Sequence, residues 1–339
     1  MEKQGVQDIG KFYVKSYEEL YNYLNENLKK IRAQSGEPFE KLMKRKLTYA
    51  YEFIVREFNQ VHKALLTIRS SHVFFKELFE MYTGKSVEQF DAMVRWRVRV
   101  AKSIYEKALR ELSKPGVGSR EVIGSFKSSV GRLLSLYRRV NRELLLLKDY
   151  LKEVSRMPDI RGDYVVIIAG LPQVGKSTLL SKLTLAKPEI GVYPFTTRTL
   201  VAGHIHVEPY GRVVLVDSPG ILDSPMEEKN LIERKAILAI RHLADHVLYL
   251  FAVYPGFYYT LTEQLNVYHA VRSLLGNKPI TVLLNKVDLV EDEYLPTIIS
   301  EIERSTGMKP IPISALTGFN LDEVREVLVK GLMDKIQHR

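Results

Sequence analysis

The sequence contains no cysteine and only one tryptophan among its 339 residues. The lack of cysteine excludes disulfide bonds and metal sites built from thiolates. No uninterrupted apolar run approaches the roughly 18 residues expected of a membrane-spanning helix, and residues 1–5 do not begin an apolar signal segment. We therefore expect a cytoplasmic protein without membrane spans.

The excess of positive over negative charge is confined to the first half of the chain. The net charge is +10, and residues 1–160 hold 31 of the 50 Lys and Arg but only 20 of the 40 Asp and Glu. Such a division is expected if the first half contacts a polyanion and the second half does not. A solvated helical surface rich in Lys and Arg gives the same count, so charge alone leaves both interpretations open.

Residues 1–157 have the apolar periodicity of helices, and we predict a basic α-helical bundle there. Turn signals occur at 35–38, 83–84 and 115–118, and Ser86 with Gln89 forms a possible capping box at a helix start. One apolar stripe covers 94–112. A second stripe runs without interruption over 122–154 and predicts one long helix.

After residue 158 the pattern changes to short apolar runs that alternate with helical stretches. This alternation predicts a second domain over 158–339, an α/β fold with a mostly parallel sheet and helices on both faces. The predicted strands are 164–169, 213–216, 247–251, 280–284 and 310–313. The predicted helices lie near 176–185, 228–243, 261–275, 292–305 and 320–335.

A phosphate-binding loop follows the first predicted strand. Gly170 and Gly175-Lys176-Ser177 have the spacing of a loop whose backbone N–H groups surround a polyphosphate. Lys176 is placed to reach the outer phosphates and the Ser177 hydroxyl to bind Mg²⁺. The predicted nucleotide-binding residues here are Gly170, Leu171, Pro172, Gln173, Val174, Gly175, Lys176, Ser177 and Thr178.

Further elements of a nucleotide site follow in chain order. The strand 213–216 ends in Asp217-Ser218-Pro219-Gly220, where Asp217 is placed to hold the Mg²⁺ shell and the Gly220 N–H to contact a γ-phosphate. Phe195, Thr196 and Thr197 lie between the two motifs, and we favour Thr197 as the Mg²⁺ ligand. The predicted catalytic residues are Lys176, Thr197 and Gly220, and the predicted metal ligands are Ser177, Thr197 and Asp217.

The identity of the base is indicated by Asn285-Lys286-Val287-Asp288, directly after a predicted strand. The Asp288 carboxylate would accept two hydrogen bonds from guanine, whereas adenine has no such pair of donors and would leave the carboxylate unpaired. The segment Ser314-Ala315-Leu316 would offer a backbone N–H to the guanine oxygen. These motifs in this order predict a site for GTP and GDP with Mg²⁺ as cofactor.

These motifs also carry a family resemblance. Residues 170–204, 217–223, 227–230 and 236–243 are similar to the Obg-related P-loop GTPases, and to those members with a helical domain before the GTPase domain. The resemblance implies a role in maturation of the large ribosomal subunit and contact between the helical domain and ribosomal RNA. Because the chain stops at residue 339, it resembles the shorter archaeal members.

Two positions bear on the rate of hydrolysis. Ile221 stands where Ras-like GTPases place the glutamine that orients the attacking water, so we expect slow intrinsic hydrolysis of GTP to GDP and phosphate. Gln173 replaces an asparagine that in related GTPases helps to hold potassium, which leaves potassium stimulation open. No general base is evident.

The partner of the helical domain is the least determined feature. Our first hypothesis is an assembly factor that binds ribosomal RNA, with Trp96 as a possible stacking residue. A signalling switch whose helical domain binds proteins is the alternative, and a membrane-associated GTPase ranks last; no DNA or membrane partner is expected. The candidate RNA-binding residues are Arg95, Arg99, Lys102, Arg132, Arg139 and Arg142.

Overall fold

The protein divides into two compact units in a computed structural model, residues 8–152 and residues 153–339. The structure describes residues 6–114, 118–160, 162–184, 188–192, 199–217 and 241–338. The predicted domain boundary after residue 157 stays a prediction. Within the described ranges, no helix is long and apolar enough to cross a bilayer.

The first unit is built from helices. They are α1 (Val6–Ile9), α2 (Tyr17–Lys30), α3 (Phe39–Ser70), α4 (Val73–Thr83), α5 (Val87–Glu111), α6 (Ser119–Arg138) and α7 (Asn141–Ser155). Long amphipathic helices bury their apolar stripes against one another, as the periodicity predicts. The helical part of the fold prediction is therefore confirmed.

The end of α4 and the start of α5 are determined by the local sequence. Gly84 adopts φ +69° and its N–H donates to the Glu80 carbonyl, which ends α4. The Ser86 hydroxyl accepts from the Gln89 N–H, and the Gln89 side chain accepts from the Ser86 N–H. The predicted capping box is thus confirmed.

The single long helix predicted over 122–154 is wrong, because the structure has α6 and α7 with a break at residues 139–140. The Val140 N–H bonds to the Tyr137 carbonyl in a tightened turn, and the Asn141 side chain accepts from the Tyr17 N–H. The turn keeps the apolar residues in phase, since Tyr137 and Val140 are fully buried. A break of this kind leaves no trace in the periodicity.

The second unit contains a seven-stranded sheet in the order β2-β3-β4-β1-β5-β6-β7. The strands are β1 (Tyr164–Ala169), β2 (Glu189–Val192), β3 (Thr199–Val207), β4 (Gly211–Asp217), β5 (His246–Ala252), β6 (Ile280–Asn285) and β7 (Ile311–Pro312). The named helices are α8 (Lys176–Leu183), α9 (Leu261–Leu275), α10 (Leu295–Thr306) and α11 (Leu321–Gln337).

The parallel part of the sheet agrees with the prediction, and one edge does not. Strands β4, β1, β5, β6 and β7 are parallel, and every residue of β1 and β5 is buried, which explains why these strands are apolar runs. The predicted strands did not include β2, and for β3 only the alternation at 204–207 indicated a strand; β2 and β3 pair antiparallel with each other, and β3 pairs antiparallel with β4. Their burial is only partial, so they lack the apolar runs that identify the central strands.

Candidate nucleotide-binding site

The loop between β1 and α8 has the backbone of a tight cradle at the carboxyl edge of the sheet. Gly170 and Gly175 have φ angles of +141° and +102°, which residues with a Cβ rarely adopt. A Cβ at Gly170 would lie 2.6 Å from the Leu250 carbonyl oxygen, and one at Gly175 would overlap the Asn285 amide. Both glycines are therefore required by the close packing of this loop.

Lys176 lies across the loop. Its side chain is only 7% exposed, and its Nζ donates to the carbonyl oxygens of Gly170 and Leu171 at 2.8 and 2.9 Å. The first residue of α8 therefore places a positive charge among the loop carbonyls. Helix α8 also directs its positive N-terminal end toward the loop.

Ser177 and Asp217 are brought together from two elements. The Ser177 Oγ donates to the Asp217 Oδ2 at 2.6 Å, and Asp217 is fully buried at the end of β4. A hydroxyl and a carboxylate are ligands that Mg²⁺ prefers. The two side chains therefore fit the metal that the sequence motifs imply.

Asn285 connects three segments of the site. Its Nδ2 donates to the Val174 carbonyl at 2.8 Å, and its Oδ1 accepts from the Ala315 N–H at 2.9 Å. The side chain is 2% exposed, so both bonds form in a water-poor environment. The phosphate loop, the end of β6 and the segment after β7 are thus held in register by one amide.

The remaining base-recognition residues lie at the same edge. Lys286 adopts φ +64°, and Asp288 is exposed in the short 3-10 turn Val287–Leu289 that follows. Ser314 and Ala315 are buried, whereas Leu316 is exposed. Of the remaining predicted loop residues, Gln173 has φ +67° and Thr178 is exposed. The predicted residues Phe195, Thr196, Thr197, Ser218, Pro219 and Gly220, with Ile221, lie outside the described residues.

An aromatic group beside Lys286 was missed by the sequence reasoning. The Lys286 Nζ lies 4.8 Å from the ring centroid of Tyr254 and 5.6 Å from that of Phe257. The available signal was the aromatic-rich segment 254–259 directly after β5, which no motif explained.

The histidines were the remaining candidates for metal ligands in the sequence. No group of three or more His, Cys, Asp or Glu residues within the described ranges could hold a metal ion. His204 lies in β3, and burial lowers its pKa, which favours the neutral ring.

The candidate RNA-binding residues are all exposed on the helical unit, but their ionic environments differ. Arg95 pairs with Asp91 at 2.9 Å, and Lys102 lies 3.9 Å from Glu106. Trp96 is 51% exposed, and the Arg97 guanidinium lies 5.5 Å from its ring. The other candidates are Arg99, Arg132, Arg139 and Arg142, which no ion pair occupies within the part of the chain that the structure describes.

Comparison with known proteins agrees with this geometry. Residues 165–286 match the family described as 50S ribosome-binding GTPase. The fold and this match define the second unit as a P-loop GTPase domain.

The chain is homologous to nucleolar GTP-binding protein 1 over part of that protein's length. It is 29% identical to the Saccharomyces cerevisiae protein over 297 residues, which are 85% of this chain and 45% of that protein. It is 34% identical to the Drosophila melanogaster protein over 218 residues, 63% of this chain and 33% of that one. An uncharacterized Methanocaldococcus jannaschii protein is 34% identical over 232 residues, 67% of this chain and 63% of that one.

The chain thus spans between a third and two thirds of these relatives. Among solved structures, one titled nucleolar GTP-binding protein 1 from Plasmodium falciparum matches with a TM-score of 0.43 and 24% identity, covering 52% of this chain and 89% of that one. The narrower Obg-related assignment stays a prediction.

Proposed function

We propose that the protein is a guanine-nucleotide switch that hydrolyses GTP and acts in assembly of the large ribosomal subunit. The observation that carries the nucleotide part is the Asn285 amide, which joins the phosphate loop to the loop that bears Asp288. A site that binds the base and the phosphates of one nucleotide needs such a connection, because the phosphate loop follows β1 whereas the loop with Asp288 follows β6.

Phosphate binding is assigned to the loop 170–178 with Lys176. The Lys176 ammonium would exchange its bonds to loop carbonyls for the outer phosphates, and the loop N–H groups would take up developing negative charge. Mg²⁺, when bound, neutralises phosphate charge, and Ser177 and Asp217 would hold it together with Thr197. Position 221 is an isoleucine, whose side chain can neither donate a hydrogen bond to the attacking water nor accept one from it. Intrinsic hydrolysis is therefore slow.

Base selection is assigned to Asp288, with Lys286 along the base and a backbone N–H of the segment Ser314-Ala315-Leu316 toward the guanine oxygen. The Ala315 N–H is occupied by the Asn285 Oδ1 in the structure. The exposed carboxylate in the middle of a short turn is accessible to a base that enters from solvent. Two hydrogen bonds to one carboxylate distinguish guanine from adenine.

We expect the Asp288→Asn variant to lose its preference for GDP and to gain affinity for xanthosine diphosphate. The amide offers a donor to the xanthine carbonyl where the carboxylate met the guanine amine. Isothermal titration of each variant with GDP, ADP and xanthosine diphosphate measures this change. Equal affinity of the unaltered chain for ADP and GDP would contradict the proposal.

The ribosomal part of the proposal rests on two independent features. The Saccharomyces cerevisiae and Drosophila melanogaster relatives are named nucleolar GTP-binding protein 1, and the matched family is described as 50S ribosome-binding. The positive excess lies in the helical half, where Arg132, Arg139 and Arg142 are exposed. Ribosomal RNA is the polyanion that fits both, and the exposed Trp96 ring is available to stack on a base.

A signalling switch with a protein-binding helical unit is the competing function. Co-sedimentation with large ribosomal particles, in GDP and in a non-hydrolysable GTP analogue, separates the two. We expect binding that depends on the nucleotide and is lost on charge reversal of Arg132, Arg139 and Arg142. Binding that survives this reversal would favour the competing function.

A further inference from the structure

The loop between β5 and α9, residues 253–260, is held in a defined conformation. The Phe257 N–H donates to the Tyr254 carbonyl at 3.1 Å, and Gly256 has φ +81°. With Pro255 before this glycine, the four residues have the pattern of a type II turn. The turn brings the first and fourth residues together, and the ring centroids of Tyr254 and Phe257 lie 5.0 Å apart.

Both ends of the loop are anchored. The Gln264 side chain is fully buried, accepts from the Ala252 N–H at 2.9 Å and donates to the Ala252 carbonyl at 2.8 Å. At the other end, the Thr260 hydroxyl and the Glu263 side chain form a capping box at the start of α9. The aromatic pair is therefore carried on a fixed support.

This pair faces the Lys286 ammonium. The Nζ lies 3.2 Å from the Tyr254 hydroxyl oxygen and within cation-π distance of both rings. The Lys286 carbonyl accepts from the Leu289 N–H at 3.0 Å, which holds its backbone in the turn. A lysine side chain normally loses rotamer freedom when a ligand orders it. Here protein contacts order it in advance.

We propose that Tyr254 and Phe257 are positioning residues for guanine-nucleotide retention, which act by holding Lys286 beside the base. The inference rests on the proposed function of the site and adds two residues to it. Because the side chain is ordered in advance, the nucleotide does not have to order it on binding. Loss of the aromatic support should therefore appear mainly as faster release of nucleotide.

The experiment measures release of a fluorescent GDP analogue from the full chain after addition of excess GDP. We expect Phe257→Ala to accelerate release about 3- to 10-fold, Phe257→Leu to accelerate it similarly because the π face is lost, and Tyr254→Phe to accelerate it less. Tyr258→Ala is the matched control, since Tyr258 belongs to the same loop but is 81% exposed and makes an edge-to-face contact with Tyr259. The control should release GDP at the unaltered rate.

A double-mutant cycle with Lys286→Met shows whether the rings act through the lysine. Methionine keeps an unbranched stem without the charge, so Phe257→Leu should change the release rate less than twofold in that background. An equal acceleration in both backgrounds, or none in either, would overturn the inference. If the unaltered chain binds ADP as tightly as GDP, the proposed function fails; if guanine preference is intact and the cycle shows no coupling, only the positioning role fails.

Discussion

At the scale of single residues, the contact between Gly175 and Asn285 couples the phosphate loop to the base-recognition segment. The glycine has φ +102°, and the Asn285 amide occupies the space that a Cβ would need. The amide cannot move aside without breaking its bonds to Val174 and Ala315. The conformation of the loop and the position of the base-recognition segment are therefore coupled.

Gly175→Ala should destabilise the protein by about 1–3 kcal/mol, because the new methyl group adds backbone strain and displaces a buried amide. Gly131→Ala is the control: Gly131 lies in α6, and its Cβ would meet nothing within 4 Å. That variant should be more stable by about 0.5–1 kcal/mol, as expected for alanine in a helix. Urea unfolding of both variants and of the unaltered chain measures these changes in the free energy of unfolding. A Gly175→Ala midpoint equal to that of the unaltered chain would show that the overlap is relieved without cost.

At the scale of elements, His246 links the starts of three parallel strands. Its Nδ1 lies 2.9 Å from the Tyr164 hydroxyl of β1, and its Nε2 lies 2.9 Å from the Thr281 hydroxyl of β6. Burial lowers the pKa of His246 to about 4, although Asp245 opposes this shift. The ring is therefore neutral at pH 7 and bonded to two hydroxyl groups.

A folded-state pKa below the unfolded value means that the unfolded chain takes up a proton first as the pH falls. The contribution of His246 to stability is present above pH 6.5 and decreases as the pH falls from 6.5 toward 4. We expect the titration of His246 to lower the free energy of unfolding by about 2 kcal/mol between pH 7 and pH 5.

The comparison for this pH effect is His246→Gln, which keeps polar atoms but does not titrate. Urea unfolding at pH 7 and pH 5 should show a smaller loss for the glutamine variant than for the unaltered chain. Identical losses would mean that the folded ring takes up its proton as readily as the unfolded one.

Two features of the secondary structure could not be fully predicted from the sequence pattern: the edge strands β2 and β3, and the break between α6 and α7. The central strands were found because burial on both faces requires apolar runs, whereas β2 and β3 are paired through their backbones at a partly exposed edge. The break between α6 and α7 preserves the apolar phase, so periodicity could not reveal it. In both cases backbone hydrogen bonding decided the structure, and side-chain pattern did not.

At the scale of the whole molecule, the basic excess of the first half determines how it should respond to salt. Each phosphate contact releases counterions, so the logarithm of the binding constant falls with the logarithm of salt concentration. We expect reversal of Arg132, Arg139 and Arg142 to glutamate to reduce this slope for ribosomal RNA by about 2–3. Filter binding at stepped salt concentrations measures the slope.

The control for this reversal changes the net charge equally on the other unit. Lys182, Lys309 and Lys330 are exposed there, and their reversal should leave the slope unchanged if the helical unit makes the contacts. The same reduction in both variants would indicate a general effect of net charge.

The sequence by itself determined the order of helices and parallel strands and the chemistry of the nucleotide motifs, because these depend on periodicity and on residues at fixed short spacings. Only the tertiary structure decided which distant groups meet. The Asn285 amide reaches Val174, and the rings of Tyr254 and Phe257 reach Lys286. Such contacts depend on how adjacent strands are ordered in the sheet, and no local pattern in the chain encodes that order.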